Sequence, residues 1–510
     1  MPTLPQLRAK WFLDFGSTAP SYPPAERYSG SAVKAYTDGN LVTSIVDGKD
    51  YMKIWHDSIR AMIGAPGAAV YHSGWRFEDV RTLGATTGPT TSDAVTVLKD
   101  AHAGGVAVHL LASRHGGGIA PSGVNFPALN SLITAGIYTA YWDNRFPLAG
   151  SNHHKFACFR HPTTPKVMLG SIDVSYTRWD TSDHLAANPD RPPPRPFIGG
   201  APTHDTAVQI EGPAVEDVER SFVERWNDSS RVFGLEPWGQ GSATIPSVST
   251  PAPIGTHSVQ VLHTYGRTSK LYGYSWSPTG DFTIWSSYLN AIRQASTYIY
   301  IEDQYFWAFA YPNPCHTRPA GNARNSDIMF QLGEAIKRGV TVIVLVPDRS
   351  EDFGRDAQVH QRSLAVNYLA TTAAAAAAGA GKFIVASLWN GQTPVMVHSK
   401  LLIVDDEFVL IGSANVNQRS MTCDGEIDAG IVDEAGIFAR DFRDRIWTEH
   451  LEVPVGSLTD LPTALAAVET SVATSSARLH PYPTAVTPVP SGQGFWMTRL
   501  HDPYCGPRPR

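Results

Sequence analysis

The chain predicts an α/β fold made of two tandem, duplicated domains. Each is a β-sheet flanked by helices, and the two are related by pseudo-two-fold symmetry with the site at their interface. Three observations carry this. Helical patterns alternate with continuous apolar runs, as in sheets buried on both faces. Two stretches, residues 152–173 (NHHKFACFRHPTTPKVMLGSID) and 397–415 (VHSKLLIVDDEFVLIGSAN), share one layout: His-x-Lys, an apolar run, a turn, a second apolar run, then Gly-Ser. Between them, residues 237–256 are rich in Gly, Ser, Thr and Pro and read as a linker.

The elements follow in order. In the first half, residues 93–103 (DAVTVLKDAHA) carry a helical pattern and 106–112 (VAVHLLA) a strand. Residues 188–202 (NPDRPPPRPFIGGAP) read as a long loop. In the second half, 297–300 (TYIY) opens as a strand. Residues 327–338 (DIMFQLGEAIKR) form a helix and 340–346 (VTVIVLV) a buried strand. Residues 371–378 are an alanine-rich helix that ends at Gly379. The predicted division is 1–240, 257–460 and an irregular tail, 461–510, which packs on the core through Phe495, Trp496 and Leu500.

Composition narrows the function. The 13 Trp, 19 Tyr and 20 Phe exclude a wholly disordered chain. A net charge of −6 disfavours a general nucleic-acid coat protein. Cys158, Cys315, Cys423 and Cys505 are far apart and have no zinc-ligand spacing, so thiols and bridges both stay open. No apolar run reaches the 18 residues of a membrane span, and the first 20 residues lack a secretory signal. The expected location is therefore cytoplasmic and peripheral at a membrane, or outside by a signal-independent route.

His398 and Lys400 are two apart in a strand-like run and point to one face. An imidazole beside an ammonium suits a phosphate: the lysine neutralises non-bridging oxygens, and the histidine attacks phosphorus or moves a proton. Asp405 follows, and then Ser413 and Asn415, where a Gly-Ser turn adds a hydroxyl and N–H groups. The first half repeats the set with His153, Lys155, Ser171 and Asp173. Two such half-sites facing each other would clamp a phosphodiester.

With these residues in view, the chain resembles the phospholipase D superfamily, whose signature is a paired His-x-Lys-x4-Asp motif. The second copy matches in full. Residues 301–306 (IEDQYF) resemble the Ile-Glu-Asn-Gln-Tyr-Phe stretch of the eukaryotic-type branch. Residues 415–421 (NVNQRSM) with Glu426-Ile427, 173–180 (DVSYTRWD) with His184, His204-Asp205, 210–214 and 225–227 also resemble that branch. The first copy departs from the pattern, with Arg160 where the motif has Asp.

The resemblance implies a phospholipase D that acts on phosphatidylcholine-type lipids through a phosphohistidine intermediate, with transfer to alcohols as a side reaction. It implies one histidine as nucleophile and the other as general acid and base, with His153 and His398 chosen in that order and the symmetry leaving the reverse open, and Lys155, Lys400 and Asp405 as the rest of the catalytic set. Asp205 and Glu426 would orient the imidazoles, while Ser171, Asp173, Ser413 and Asn415 would bind the substrate phosphate. No cofactor and no metal are called for, and no acidic ligand cluster demands one. The partner would be a phospholipid membrane surface, not nucleic acid, and the chain a monomer.

Tyr176, Trp179, Tyr305, Trp307 and Trp389 are candidates for a cation–π mouth around a quaternary ammonium, with core packing as the competing role. His154, His184 and His204 read as structural or surface residues. Residues 115–118 (HGGG) lack a Gly-x-Ser-x-Gly partner and read as a flexible loop. Two other functions remain open. One is a different phosphodiesterase of the superfamily, such as a nuclease. The other is a weakened lipid-binding relative, with Arg160 adding positive charge near the pocket.

Overall fold

A computed structural model describes residues 2–16, 27, 31–114, 122–143, 150–191, 201–227, 245, 250–267, 274, 276–307, 326–349, 355–488 and 502. The HGGG run, most of the Pro-rich loop, and Phe495, Trp496 and Leu500 lie outside the described residues.

The first sheet has strands β1 (Thr37–Val46), β2 (Ala69–Gly74), β3 (Ala107–Ser113), β4 (Ala140–Asp143), β5 (Phe156–Arg160), β6 (Lys166–Gly170) and β7 (Thr206–Glu211). Their order is β4-β3-β2-β5-β6-β7-β1. The second sheet has β8 (His257–Tyr265), β9 (Tyr298–Asp303), β10 (Thr341–Leu345), β11 (Phe383–Asn390), β12 (Lys400–Val404), β13 (Phe408–Gly412) and β14 (Glu426–Asp433). Their order is β11-β10-β9-β12-β13-β14-β8. Strand for strand, order and direction repeat: three parallel strands, then antiparallel neighbours. The two sheets meet where β1 pairs antiparallel with β8, Thr37 opposite Val259. The duplication read from the paired motifs is thus present throughout the sheets.

Helices cover both faces. In the first half, α2 (Gly48–Met62), α3 (Ala94–Ala103) and α4 (Ser122–Thr134) follow the strands as crossovers. In the second, α6 (Thr283–Gln294), α7 (Ile328–Lys337) and α8 (Arg355–Ala374) do the same. α2 presents Tyr51, Met52, Trp55, Ile59 and Met62 to the core at helical spacing. The opposite faces of both sheets share one core with α5 (Ala214–Asn227), α10 (Phe438–Leu451) and α11 (Leu461–Thr474). The central strands β9, β12, β13 and β14 are buried along their whole length, which is why residues 401–404 and 408–411 read as unbroken apolar runs.

Two expectations are corrected here. The stretch from 461 is not an irregular tail. Asp460 caps α11 by accepting from Thr463 N at 3.1 Å, and Leu479–Pro481 adds as strand β15 to the edge of β11. The prolines that crowd this part of the sequence hid a strand of only three residues. Nor does the chain's opening belong to the first half. Helix α1 (Leu4–Trp11) packs on the second: Trp11 stacks on Phe408 at 5.5 Å, and its indole N–H donates to Glu407 at 3.1 Å. Among the cysteines, Cys158 is a buried free thiol and Cys423 is disulfide-bonded. No described helix is long and apolar enough to cross a membrane.

Trp11 is fully buried, so Trp11→Ala removes a large side chain from the second-half core. The expected loss is about 3–5 kcal/mol, read by urea unfolding of the purified chain. A loss below about 1 kcal/mol would show that α1 is dispensable.

Candidate active site

Two short backbone bridges between the halves place the histidines. Before β5, Asn152 forms a parallel bridge with Gly425, and His153 N donates to Gly425 O at 2.9 Å. Before β12, Met396–Val397 pairs parallel with Thr203–His204, and His398 N donates to His204 O at 2.9 Å. Each bridge therefore ends with a histidine on one strand and a carboxylate one residue on in the other.

The histidine–carboxylate pairs cross the interface. His153 Nδ1 lies 3.0 Å from both oxygens of Glu426, and His398 Nδ1 lies 2.8 Å from Asp205 Oδ2. A carboxylate on Nδ1 fixes the tautomer and leaves Nε2 for chemistry. Spacing along the chain suggested orienting carboxylates but not that each comes from the opposite half.

The lysines sit below. Lys155 Nζ donates to His153 O at 3.1 Å and lies 3.6 Å from Asp173. Lys400 Nζ donates to His398 O and, at 3.1 Å, to Gln304 Oε1. Burial pushes both imidazoles well below the usual histidine range, and the charges of Lys155 and Lys400 push them further. Burial also raises Asp205 and Glu426. Burial pulls Lys400 down to about 7, helped by Lys155 and Arg178 and resisted by Asp205 and Asp303.

Several assignments change. Ser171 and Ser413 turn their hydroxyls to carboxylates: Ser171 Oγ donates to Asp205, and Ser413 Oγ donates to Glu426 Oε2 at 2.6 Å. They brace the orienting carboxylates. Asp173 is a counter-charge to Lys155 and accepts from Arg76 N, so it is unsuited to an anion. Asn415 is buried beside this set, and its Oδ1 has no hydrogen-bond partner.

Asp405 is not in the site. It lies five residues beyond Lys400, about 16 Å along a strand at 3.3 Å per residue. There, at φ 54°, it accepts from the N–H groups of Ser296, Thr297 and Tyr298 at 2.8, 2.8 and 3.0 Å. It anchors a hairpin turn to the start of β9. Arg160 occupies the matching far end of β5, with Tyr71 OH at 3.3 Å and Glu219 at 3.7 Å. The turn beyond it is held instead by His161 Nδ1, which accepts from Thr163 N and Thr164 N. The absent motif carboxylate thus leaves the site intact, and Arg160 adds no charge to it.

The chain matches two family models, "Phospholipase D" over residues 195–361 and "Cardiolipin synthase, PLD-like domain" over 288–447. It is 25% identical to phospholipase D beta 1 of Arabidopsis thaliana over 59% of this chain and 36% of that one. It is 26% identical to phospholipase D alpha 1 of Zea mays over 61% and 47%. Both family-model matches, which together span residues 195–447, are to the phospholipase D superfamily. The chain's relatives are of the eukaryotic type, as the quoted segments imply, and the chain spans 36 to 47% of the length of these two. Among solved structures it is similar to a phosphatidylserine synthase of Haemophilus influenzae Rd KW20, with a TM-score of 0.47 and 11% identity over 90% of this chain and 92% of that one.

Sequence reasoning missed Trp75, whose ring stands 6.0 Å from His153, and Gln304 on Lys400. It also missed Arg178, 4.0 Å from Asp205. The last two lie inside quoted family segments, which was the available signal. Of the aromatics weighed for the mouth, Trp179 and Trp307 are core residues, and Trp389 stacks on His480.

Two outcomes follow from this geometry. Arg160→Asp leaves turnover within about twofold, because the position is remote. It also lowers the unfolding midpoint by about 2–4 °C, because it sets a second carboxylate beside Glu219, which burial already lifts to about 7. A large gain in turnover would return the motif aspartate to the site. The Lys400 ammonium is lost as pH rises through about 7. KM for a phosphodiester anion should therefore rise by up to about tenfold per pH unit above that point, and a flat KM in steady-state kinetics would refute it.

Proposed function

We propose that the chain is a phospholipase D that hydrolyses glycerophospholipids to phosphatidic acid and the free head-group alcohol. The observation that carries this is the pair of crossed histidine–carboxylate dyads over two buried lysines. Two imidazoles with free Nε2 atoms divide the work of a two-step displacement. The lysines receive the charge of the non-bridging oxygens.

His153 is assigned the nucleophile. It is the more accessible ring, at 12% side-chain exposure against 3% for His398. Its Nε2 attacks phosphorus, the P–O bond to the head group breaks, and His398 gives the leaving oxygen a proton. A bound phosphodiester anion offsets the lysine charges and lifts His398 toward the protonated form this needs. His398 then takes a proton from water, which attacks phosphorus and breaks the P–N bond. An alcohol in place of water gives a phosphatidyl alcohol. Glu426 and Asp205 hold the rings and balance their charge in turn.

Both half-sites lie on one chain, which supports a monomer working at a phospholipid surface. Relatives named phospholipase D support the lipid substrate over a nucleic acid, as does the net charge of −6. The test is incubation with phosphatidylcholine vesicles and ethanol, with phosphatidylethanol read by mass spectrometry. Product is expected from the parent chain, with a loss of at least about 10³-fold in His153→Ala and His398→Ala. Cleavage of bis(p-nitrophenyl) phosphate with no product from any phospholipid would replace the lipid substrate by another phosphodiester.

A further inference from the structure

A second cluster of histidines and carboxylates lies behind the catalytic dyads. It gathers four segments: Asp47 just after β1, His184 in the loop after residue 180, His204 in the bridge strand, and Glu449 on α10. His184 and His204 are fully buried, and Asp47 is 2% exposed. One ligand atom from each lies within 4.8 Å of the others. His184 Nε2 lies 3.1 Å from Glu449 Oε1, which lies 3.3 Å from His204 Nδ1. His204 Nδ1 lies 3.1 Å from Asp47 Oδ1, and His184 Nε2 lies 3.9 Å from Asp47 Oδ2. That last oxygen is buried, has no hydrogen-bond partner and faces the cluster.

Three of these four separations are close to the edges of a tetrahedral cation site. With metal–ligand bonds of about 2.0–2.1 Å, ligand atoms stand about 3.3 Å apart. The outer contacts also fit. His184 turns Nδ1 to Asp180 Oδ2 at 3.1 Å, and His204 turns Nε2 to Glu302 Oε2 at 3.1 Å. A carboxylate on the far nitrogen of each imidazole is the arrangement that fixes a metal-binding tautomer. Asp180 is held by Arg191 at 2.7 Å, and Glu302 is held by His450 at 3.1 Å and Tyr300 OH at 2.6 Å. A route in exists: Asp47 and Glu449 line a cavity of about 450 Å³ with Lys49, Thr181, Arg445 and Arg478.

We propose that Asp47, His184, His204 and Glu449 form a structural site for a divalent transition cation, with zinc the best match. Two imidazole nitrogens and two carboxylate oxygens suit zinc. Calcium and magnesium prefer oxygen alone. All four positions are filled by protein, as in structural rather than catalytic zinc sites. The cation would tie the first half to α10 of the second. It would also stiffen the catalytic apparatus. His204 O accepts from His398 N, Asp47 N donates to Asp205 O, and Asp205 N donates to Asp47 Oδ1. The competing occupant is a pair of protons. The surrounding carboxylates outweigh burial and lift His184 to about 9 and His204 well above its usual range.

The test uses the full chain, stripped with dipicolinic acid and then dialysed against zinc chloride. Mass spectrometry of the metal should give about one zinc per chain, and zinc should raise the unfolding midpoint by about 4 °C where calcium and magnesium do not. Cobalt(II) substitution should give the strong visible absorption of a tetrahedral site, a readout that does not depend on any variant folding. Glu449→Gln should abolish stoichiometric binding. Asp180→Asn, which changes the contact on the far nitrogen of His184 without altering any ligand atom, should weaken it about 10–100-fold. A parent chain that holds less than about 0.1 zinc and shows no shift in midpoint would overturn the proposal, leaving the cluster as a histidinium–carboxylate network. Full binding in both variants would overturn it equally.

Discussion

Everything in the site depends on a carboxylate from one half holding a histidine from the other. Glu426 holds His153 and Asp205 holds His398, and neither pair can form within its own sheet. The partners arrive together because the backbone bridges run immediately before them, at Asn152–Gly425 and at Met396–Val397 with Thr203–His204. Two ladder contacts therefore set two rings, two carboxylates and the interface at once. A shift of one residue in either bridge would turn the carboxylate to the opposite face.

The electrostatics follow from that closure. The halves bury two ammonium groups, two imidazoles and the carboxylates of Asp205 and Glu426 in one place, and burial alone penalises every charge among them. The arrangement persists because each charge has an opposite partner or a hydrogen bond. Lys155 has Asp173, Lys400 has Gln304 and a carbonyl, and the carboxylates have Ser171 and Ser413. The serines that sequence reading assigned to the phosphate are used in keeping the carboxylates solvated by protein.

Much of the fold was legible in the chain, for physical reasons. Strands buried on both faces, such as residues 340–346, show as unbroken apolar runs. The repeated His-x-Lys and Gly-Ser marked the β5–β6 and β12–β13 hairpins, and with them the duplication. His153, Lys155, His398, Lys400, Asp205 and Glu426 do converge. What stayed hidden is what spacing cannot encode. The exchange of carboxylates between halves is a long-range fact. Asp405 shares its motif with Lys400 but serves a turn, because a strand separates them. The cluster around His204 draws on four separate segments, and no local pattern announces it. Helix α1 carries no mark of the partner it chooses.

That choice bears on how the molecule is made. Leu7 and Trp11 are made some 400 residues before Phe408 and its neighbours, yet they pack against them. At about 5–20 residues per second, some 20–80 s of synthesis separate the two. Through that interval the first sheet can close around its own helices while the apolar face of α1 stays bare. The newest strands then recruit the oldest segment. The nascent chain thus carries Leu7 and Trp11 uncovered until the second sheet is made, and that sheet shuts them away.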